Sequence, residues 1–239
     1  MINKNKTSDG GVVMNEFVSC IVAAGGSGNR MGADKNKLLL EIDDIPLLCH
    51  TLMALQNSEV VSEIIISARE EDIMEIAHLA EEFSIAKLKT IVKGGSTRTE
   101  SVLSAVKEIA DECDLVMVHD GARPFVTDKI ISDTVNAAKE YSAAACGVKP
   151  KCTLKSIDAG FVTETVDREK TVEIQTPQVF LKDLFLKMYS ESVVTDATDD
   201  CVLAEKCGAK IFVTEGSYKN IKITTPEDME IAEIFIRRS

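Results

Sequence analysis

Five short runs along the chain are built around β-branched or apolar residues: "FVSCIVA" from residue 17, "EIIISA" from 63, "KTIVKG" from 89, "DLVMVHD" from 114 and "AAACGVK" from 143. Each is bounded by turn residues, the pattern of strands covered on both faces. Between them the apolar positions recur with a helical period over Pro46 to Gln56, Glu71 to Phe83, Arg98 to Ala110 and Asp128 to Tyr141. Pro46 suits a first helical turn, where its missing N–H would have no partner anyway. Strand alternating with helix over this length predicts an α/β fold, a doubly wound, mostly parallel twisted sheet with helices on both faces.

After Lys149 the rhythm changes. "CTLKSIDAGFVTETV" reads as two strands around the turn Asp158-Ala159-Gly160, a hairpin inserted at about residues 150–173 as a lid or as an arm that packs on a partner chain. The α/β pattern then resumes with a helix from Leu181, another entered at Thr198, a strand "AKIFVT", a run "NIKIT" and a closing helix from Pro226. Thr225 and Asp228 form a T-x-x-D capping box that specifies the last helix start. Residues 17–239 are thus expected to form a single domain. Residues 1–16, "MINKNKTSDGGVVMNE", have neither a secretory signal's apolar centre nor a transit peptide's arginine-rich helix, and read as a disordered leader in which Met14 is an alternative start.

Charge and cysteine content narrow the class. A formal net charge of -12 argues against a nucleic-acid or anionic-membrane surface, which needs a basic face to displace counterions. The seven cysteines contain no C-x-x-C pair, and neither of the two C-x5-C spacings has a nearby histidine, so reduced thiols in the cytoplasm are expected. No apolar run approaches the roughly 20 residues that span a bilayer.

The candidate chemistry sits where strands end. "AAGGSGNRMG", Ala23 to Gly32, follows the first strand. A dinucleotide fingerprint would require a third glycine where Met31 stands, and a Walker loop would require G-K-[ST] after Gly28, where Asn29-Arg30 follows. What remains is either a tight turn with surface cations or a glycine loop whose N–H groups face phosphate oxygens, with Arg30 and Lys37 neutralising charge during phosphoryl or nucleotidyl transfer. "GGSTRTESV", Gly94 to Val102, is a helix entry or a second wall of the same cleft, with Ser101 facing a base or ribose. In "VHDGARPF", Asp120 faces a metal or sugar hydroxyls and Arg123 a phosphate, or the two form a structural salt bridge; His119 reads as a strand-end histidine. "TVDREK" and "NIKITTPED" add Arg168 and Lys222, each unremarkable alone.

The ordered series "AGGSGNRMG", "NK", "GGSTR..SV", "HDGARP", "TVDR", "QTPQ", "TDD" and "NIKITTPED" closely resembles the 2-C-methyl-D-erythritol 4-phosphate cytidylyltransferase family of the non-mevalonate isoprenoid pathway, over nearly everything from Phe17 onward. The resemblance implies a Rossmann-like nucleotide-diphospho-sugar transferase fold with a protruding β-arm, and transfer of CMP from CTP to the phosphate of methylerythritol phosphate with release of pyrophosphate. It implies Arg30 and Lys37 as the groups that stabilise the reacting triphosphate. It implies a CTP site at Ala24, Gly25, Gly26, Gly95, Ser101 and Asp120, with Mg2+ held mainly by the nucleotide phosphates near Asp120. Arg168 and Lys222 are implied to be catalytic and to aim the acceptor phosphate, aided by Arg123, Thr153 and Thr176. It also implies a homodimer in which the arm carries Thr153 and Arg168 into the neighbouring subunit's site.

Three positions depart from the family: Gly25 where alanine is common, Cys152 in place of an acidic residue, and Asn36 where proline usually precedes the lysine. Two rival readings share the loop, a ribitol-5-phosphate (pentitol phosphate) cytidylyltransferase and a nucleotide-sensing domain without turnover. "TVDR" and the alanine of "HDGARP" favour the erythritol phosphate acceptor over ribitol phosphate, and joint retention of the cationic residues favours turnover.

Overall fold

The computed structural model describes residues 16–26, 36–191 and 197–237. In chain order the elements are β1 (Val18–Ala24), β2 (Glu41–Ile42), β3 (Ile45–Pro46), α1 (Leu47–Asn57), β4 (Glu63–Ala68), α2 (Ile73–Glu82), β5 (Leu88–Lys93), α3 (Arg98–Val106), β6 (Leu115–Asp120), α4 (Asp128–Tyr141) and β7 (Ala143–Val148). They continue with β8 (Lys155–Asp158), β9 (Phe161–Thr165), β10 (Glu173–Leu181), α5 (Lys182–Glu191), α6 (Asp200–Lys206), β11 (Phe212–Glu215) and α7 (Pro226–Ile236). Apart from Glu16, which pairs with Lys139, the expected leader over residues 1–16 lies outside the described residues.

Among the described residues, seven strands form one sheet in the order β11-β7-β10-β6-β1-β4-β5. All adjacent pairs are parallel except those made by β10, which runs antiparallel to both β6 and β7. Alternation along the strands sends successive side chains to opposite faces. Cys20, Val22 and Ala24 of β1 join one apolar cluster with residues of α1, α2, α4 and α7. Ile21 faces the other way, into a cluster with α3, α5 and α6 residues such as Val102, Phe185 and Leu203. The core is therefore double, one half on each side of a sheet that is fully covered in its centre, as the continuous apolar runs predict.

Strand β10 is the largest departure from the sequence pattern, which left "EIQTPQVFL" without an element. Pro177 cannot donate to a ladder, and Gln175, Thr176 and Gln178 are polar at positions that are buried, so neither periodicity nor composition marks a central strand. The run "NIKIT", by contrast, is irregular: the Ile223 N–H bonds the Ala122 carbonyl at 2.9 Å rather than a sheet neighbour. Helix α3 ends at Val106, short of Ala110, whose N–H instead meets the Glu63 carboxylate at 3.0 Å. Pro46 lies just outside α1, as its N-cap.

The expected hairpin is present as β8 and β9, paired antiparallel around Ala159 and Gly160, both at positive φ. Its apolar side chains Ile157, Phe161 and Val162 are 70%, 78% and 62% exposed. No part of the described chain covers them.

Candidate active site

The order of strands places a topological switch between β1 and β6: from β1 the chain winds outward through β4 and β5, and then returns to the other side with β6. Open α/β sheets bind ligands at such a crevice, outside the carboxyl ends of the strands. There a cleft of about 510 Å³ is lined by Gly25 and Gly26 after β1, Lys37, the loop Gly95 to Arg98, Ser101, Asp120 and Lys222. Segments far apart in sequence thus meet at the carboxyl end of the sheet.

The glycine loops leave room that side chains would fill. A Cβ on Gly95 would lie 2.2 Å from the Glu100 Cβ, an impossible contact, because Glu100 folds back over the loop. Its carboxylate accepts from the Ser96 and Thr97 amides at 2.7 and 3.2 Å while the Thr97 hydroxyl caps α3. At Gly25 a Cβ would stand 3.1 Å from the Ser101 Oγ, so glycine in place of alanine widens the cleft beside a hydroxyl that donates to the Thr97 carbonyl at 2.8 Å. Among the described residues nothing lies within 4 Å of where a Cβ on Gly26 would stand. Ala24 points into the core and Ala23 lines the cleft instead.

Lys37 opens a short 3-10 turn whose cap is Asn36. Asn36 is 1% exposed: its side-chain oxygen accepts from the Leu38 N–H at 3.1 Å and its amide donates to Asp72 at 2.7 Å. The departure from proline at this position therefore anchors the turn by a hydrogen bond. The Lys37 ammonium reaches across the cleft to the Ile223 carbonyl at 2.8 Å.

Asp120 is the one carboxylate in the described cleft lining. Its Oδ2 meets Lys222 Nζ at 3.0 Å and Arg123 Nε at 3.1 Å, while Oδ1 lies 3.8 Å from Arg98 Nε. Burial alone would raise its pKa, but Lys222, Arg98 and Arg123 together outweigh burial and hold it well below the usual carboxylate range. Neighbouring His119 is wholly buried, and that burial pushes it down to about 4, so it is neutral at physiological pH.

Arg98 was not singled out from the sequence, although "TRTE" carries it. It lies between Asp120 and Asp200, with Nη2 2.6 Å from the fully buried Asp200 Oδ2. Burial opposes its charge, yet the two carboxylates win and its pKa is raised. Asp200 is itself fixed by the Tyr189 hydroxyl and by its own N–H, which donates to Gln178 Oε1 at 2.9 Å. The only sequence signals for this pair were the motifs "GGSTR" and "TDD", in which any of several polar residues could have faced the cleft.

The remaining candidates divide. Arg123 is 9% exposed and is turned inward, donating to Asp120 and, through Nη1, to the Asn220 carbonyl at 2.7 Å; the salt-bridge reading holds here. Thr176 is 3% exposed, with its hydroxyl on the Asp120 amide and on His119, so it too stands behind the cleft and not in it. Thr153 and Arg168 are exposed on the arm, where Arg168 lies 3.5 Å from Glu169, and neither lines this chain's cleft. Arg30 lies outside the described residues.

Comparisons with known proteins give the family. The family model described as 2-C-methyl-D-erythritol 4-phosphate cytidylyltransferase matches residues 18–238. The protein of that name from Bacillus cereus is 43% identical over 219 residues, covering 91% of this chain and 96% of its own. Its namesake from Clostridium acetobutylicum is 40% identical over 223 residues, with 92% and 97% covered. The crystal structure of 4-diphosphocytidyl-2C-methyl-D-erythritol synthase from Anaerococcus prevotii superposes with a TM-score of 0.83 at 33% identity, over 94% of this chain and 97% of its own. A match of this extent, on a fold whose switch-point cleft gathers the glycine loops, Lys37, Asp120 and Lys222, establishes that the chain belongs to the 2-C-methyl-D-erythritol 4-phosphate cytidylyltransferase family.

Proposed function

We propose that this protein transfers CMP from CTP to 2-C-methyl-D-erythritol 4-phosphate, forming 4-diphosphocytidyl-2-C-methyl-D-erythritol and pyrophosphate in isoprenoid precursor synthesis. The observation that carries the reading is the convergence of Lys37 and Lys222 on one glycine-walled cleft in an otherwise acidic chain. A phosphate oxygen of the acceptor attacks the α-phosphorus of CTP, a new P–O bond forms, and the bond to pyrophosphate breaks. A phosphate monoester has a second pKa near 6, so the nucleophile is already ionised at neutral pH. No general base is needed, and neutral, buried His119 is not one.

The obstacle is repulsion between two polyanions, and fixed cations at the reacting phosphates lower it. Lys37 and Arg30 act on the triphosphate. Lys222 stands beside Asp120 and aims the acceptor phosphate, while Arg123 braces Asp120 from behind.

A divalent cation fits this site in a limited way. Among the described residues no group of three His, Cys, Asp or Glu side chains could hold a metal ion, while Lys222 and Arg123 sit on Oδ2 of Asp120 and Oδ1 lies 3.8 Å from Arg98. Asp120 would therefore supply one oxygen to a Mg2+ held mainly by nucleotide phosphates and water, as that ion commonly is. When bound, Mg2+ would neutralise charge on the triphosphate.

The arm supports a homodimer. An isolated two-stranded hairpin is marginal in water, yet this one exposes Ile157, Phe161 and Val162; a second copy would cover them and receive Thr153 and Arg168 at its acceptor site. All seven thiols are free, and no helix among the described residues is long and apolar enough to cross a membrane; both features suit the cytoplasm.

The test is pyrophosphate release from CTP with methylerythritol phosphate and ribitol phosphate offered separately. Release with the first and little with the second is expected. Equal or preferred use of ribitol phosphate would move the assignment to the pentitol enzymes, and CTP binding without release would leave a sensing domain.

A further inference from the structure

Behind Asp120 lies a buried polar chain that the reaction as described does not use. In the antiparallel pairing of β10 with β6, Gln178 faces Val118, and continuing that register would set Thr176 opposite Asp120. Pro177 has no N–H, and the pairing stops at Gln178. The Asp120 N–H finds the Thr176 Oγ1 at 3.0 Å instead. The same oxygen lies 3.1 Å from His119 Nδ1, and His119 Nε2 lies 3.4 Å from the Arg123 carbonyl. His119 is 0% exposed and Thr176 3%.

Only one direction of hydrogen bonding satisfies every member. The Asp120 amide can only donate, so Thr176 Oγ1 accepts there. The hydroxyl has one proton, and His119 Nδ1 is the acceptor within reach. A neutral ring that accepts at Nδ1 carries its proton on Nε2, which then faces the Arg123 carbonyl, an obligate acceptor. The opposite tautomer would set the Nε2 lone pair against that carbonyl oxygen.

We infer that His119 and Thr176 are positioning residues for the transfer, forming a directed chain from the Asp120 amide through the Thr176 hydroxyl and the His119 ring to the Arg123 carbonyl. The chain fixes the backbone from which Asp120 faces the cleft and Arg123 braces it. It gives Thr176 a different role from the phosphate ligand that family resemblance implies: a phosphate oxygen needs a donor, and the only proton on this side chain is committed to His119. Asn220 strengthens the assignment by donating from Nδ2 to the Thr176 carbonyl at 3.0 Å, which locks the residue from its other side.

The inference rests on the cleft being the transfer site, and two measurements separate the two claims. The first is the 15N spectrum of the imidazoles in the intact wild-type protein, with His119 assigned by comparison with His119→Asn. A proton on Nε2 alone is expected; a proton on Nδ1 in the wild type would overturn the chain, whatever the activity. The second is a kinetic cycle. Thr176→Val is expected to lower turnover about 10- to 100-fold, as small displacements of reacting groups do, and Thr176→Ser to restore most of it. In an Asp120→Asn background, Thr176→Val should cost less than about threefold more, because the two residues act as one unit. An equal loss in both backgrounds, with a raised KM for the acceptor, would make Thr176 a phosphate ligand and refute the positioning role. Wild-type protein that shows the expected tautomer but releases no pyrophosphate would instead refute the proposed function and leave the hydrogen-bond chain standing.

Discussion

Lys37 and Asp120 show how a site residue is made by its neighbours. The lysine has a defined direction because Asn36 caps its turn and Asp72 holds Asn36; without that anchor a four-carbon stem on a loop would sample many positions. We expect Lys37→Ala to lower kcat about 10²-fold or more, the usual effect of removing a preorganised charge at a reacting phosphate, with a smaller change in the KM for the acceptor. Steady-state kinetics with each substrate varied in turn would check this, and near-wild-type turnover would remove Lys37 from the mechanism. Asp120, Arg123 and Lys222 were all visible as strand-end polar residues. Their division of labour was not, because whether an arginine faces a ligand or a carboxylate depends on side-chain direction, which spacing along the chain does not encode.

The helix starts are the elements most fully determined by local sequence. The T-x-x-D signal before the last helix is realised: the Thr225 hydroxyl accepts from the Asp228 N–H, and the Asp228 carboxylate accepts from the Thr224 and Thr225 amides at 2.7 and 2.9 Å. These bonds outweigh the effect of burial and lower the Asp228 pKa from its usual 3.8. A carboxylate with a depressed folded pKa contributes stability at pH values above its unfolded value, and that contribution is lost as pH falls through the folded value. Thr225→Ala should therefore cost about 1 kcal/mol at neutral pH. Asp228→Asn should narrow the difference from wild type as urea midpoints are measured from neutral pH down to strongly acidic pH. A wild-type-to-mutant gap that stays constant across that range would exclude the ionised cap. Strand β10 is the counterexample at this scale: its buried Gln175, Thr176 and Gln178 are tolerated only because Ser217, Asp120, Asn220 and Asp200 supply partners from three other segments.

At the scale of the whole molecule the arm is the feature that a single chain does not explain. Thr153 and Arg168 lie away from the cleft that contains Lys37 and Lys222, so a complete site needs two copies if the arm residues serve the reaction. Protein carrying Arg168→Ala and protein carrying Lys37→Ala, each nearly inactive, should regain up to about a quarter of wild-type activity when mixed and allowed to exchange subunits. In that heterodimer one site keeps both residues, and such complementation is the signature of a shared site. No recovery after subunit exchange is confirmed by mass would place the arm in its own chain's site or in none. Sedimentation of the wild type supplies the companion measurement, with a dimer as the expected species.

Local patterning alone determined the covered strands, the helices between them, the hairpin and the caps, because hydrophobic period and capping are short-range properties written within a dozen residues. It also marked every loop that contributes to the described cleft. Only the tertiary structure decided that β10 enters the sheet antiparallel between β6 and β7, that Arg98 is held between Asp120 and Asp200, and that Arg123 and Thr176 turn inward while Lys37 and Lys222 reach the cleft. The physical reason is shared: a buried polar group is stable only beside its partner, and apart from Asp120, three residues before Arg123, the partners come from segments tens of residues away.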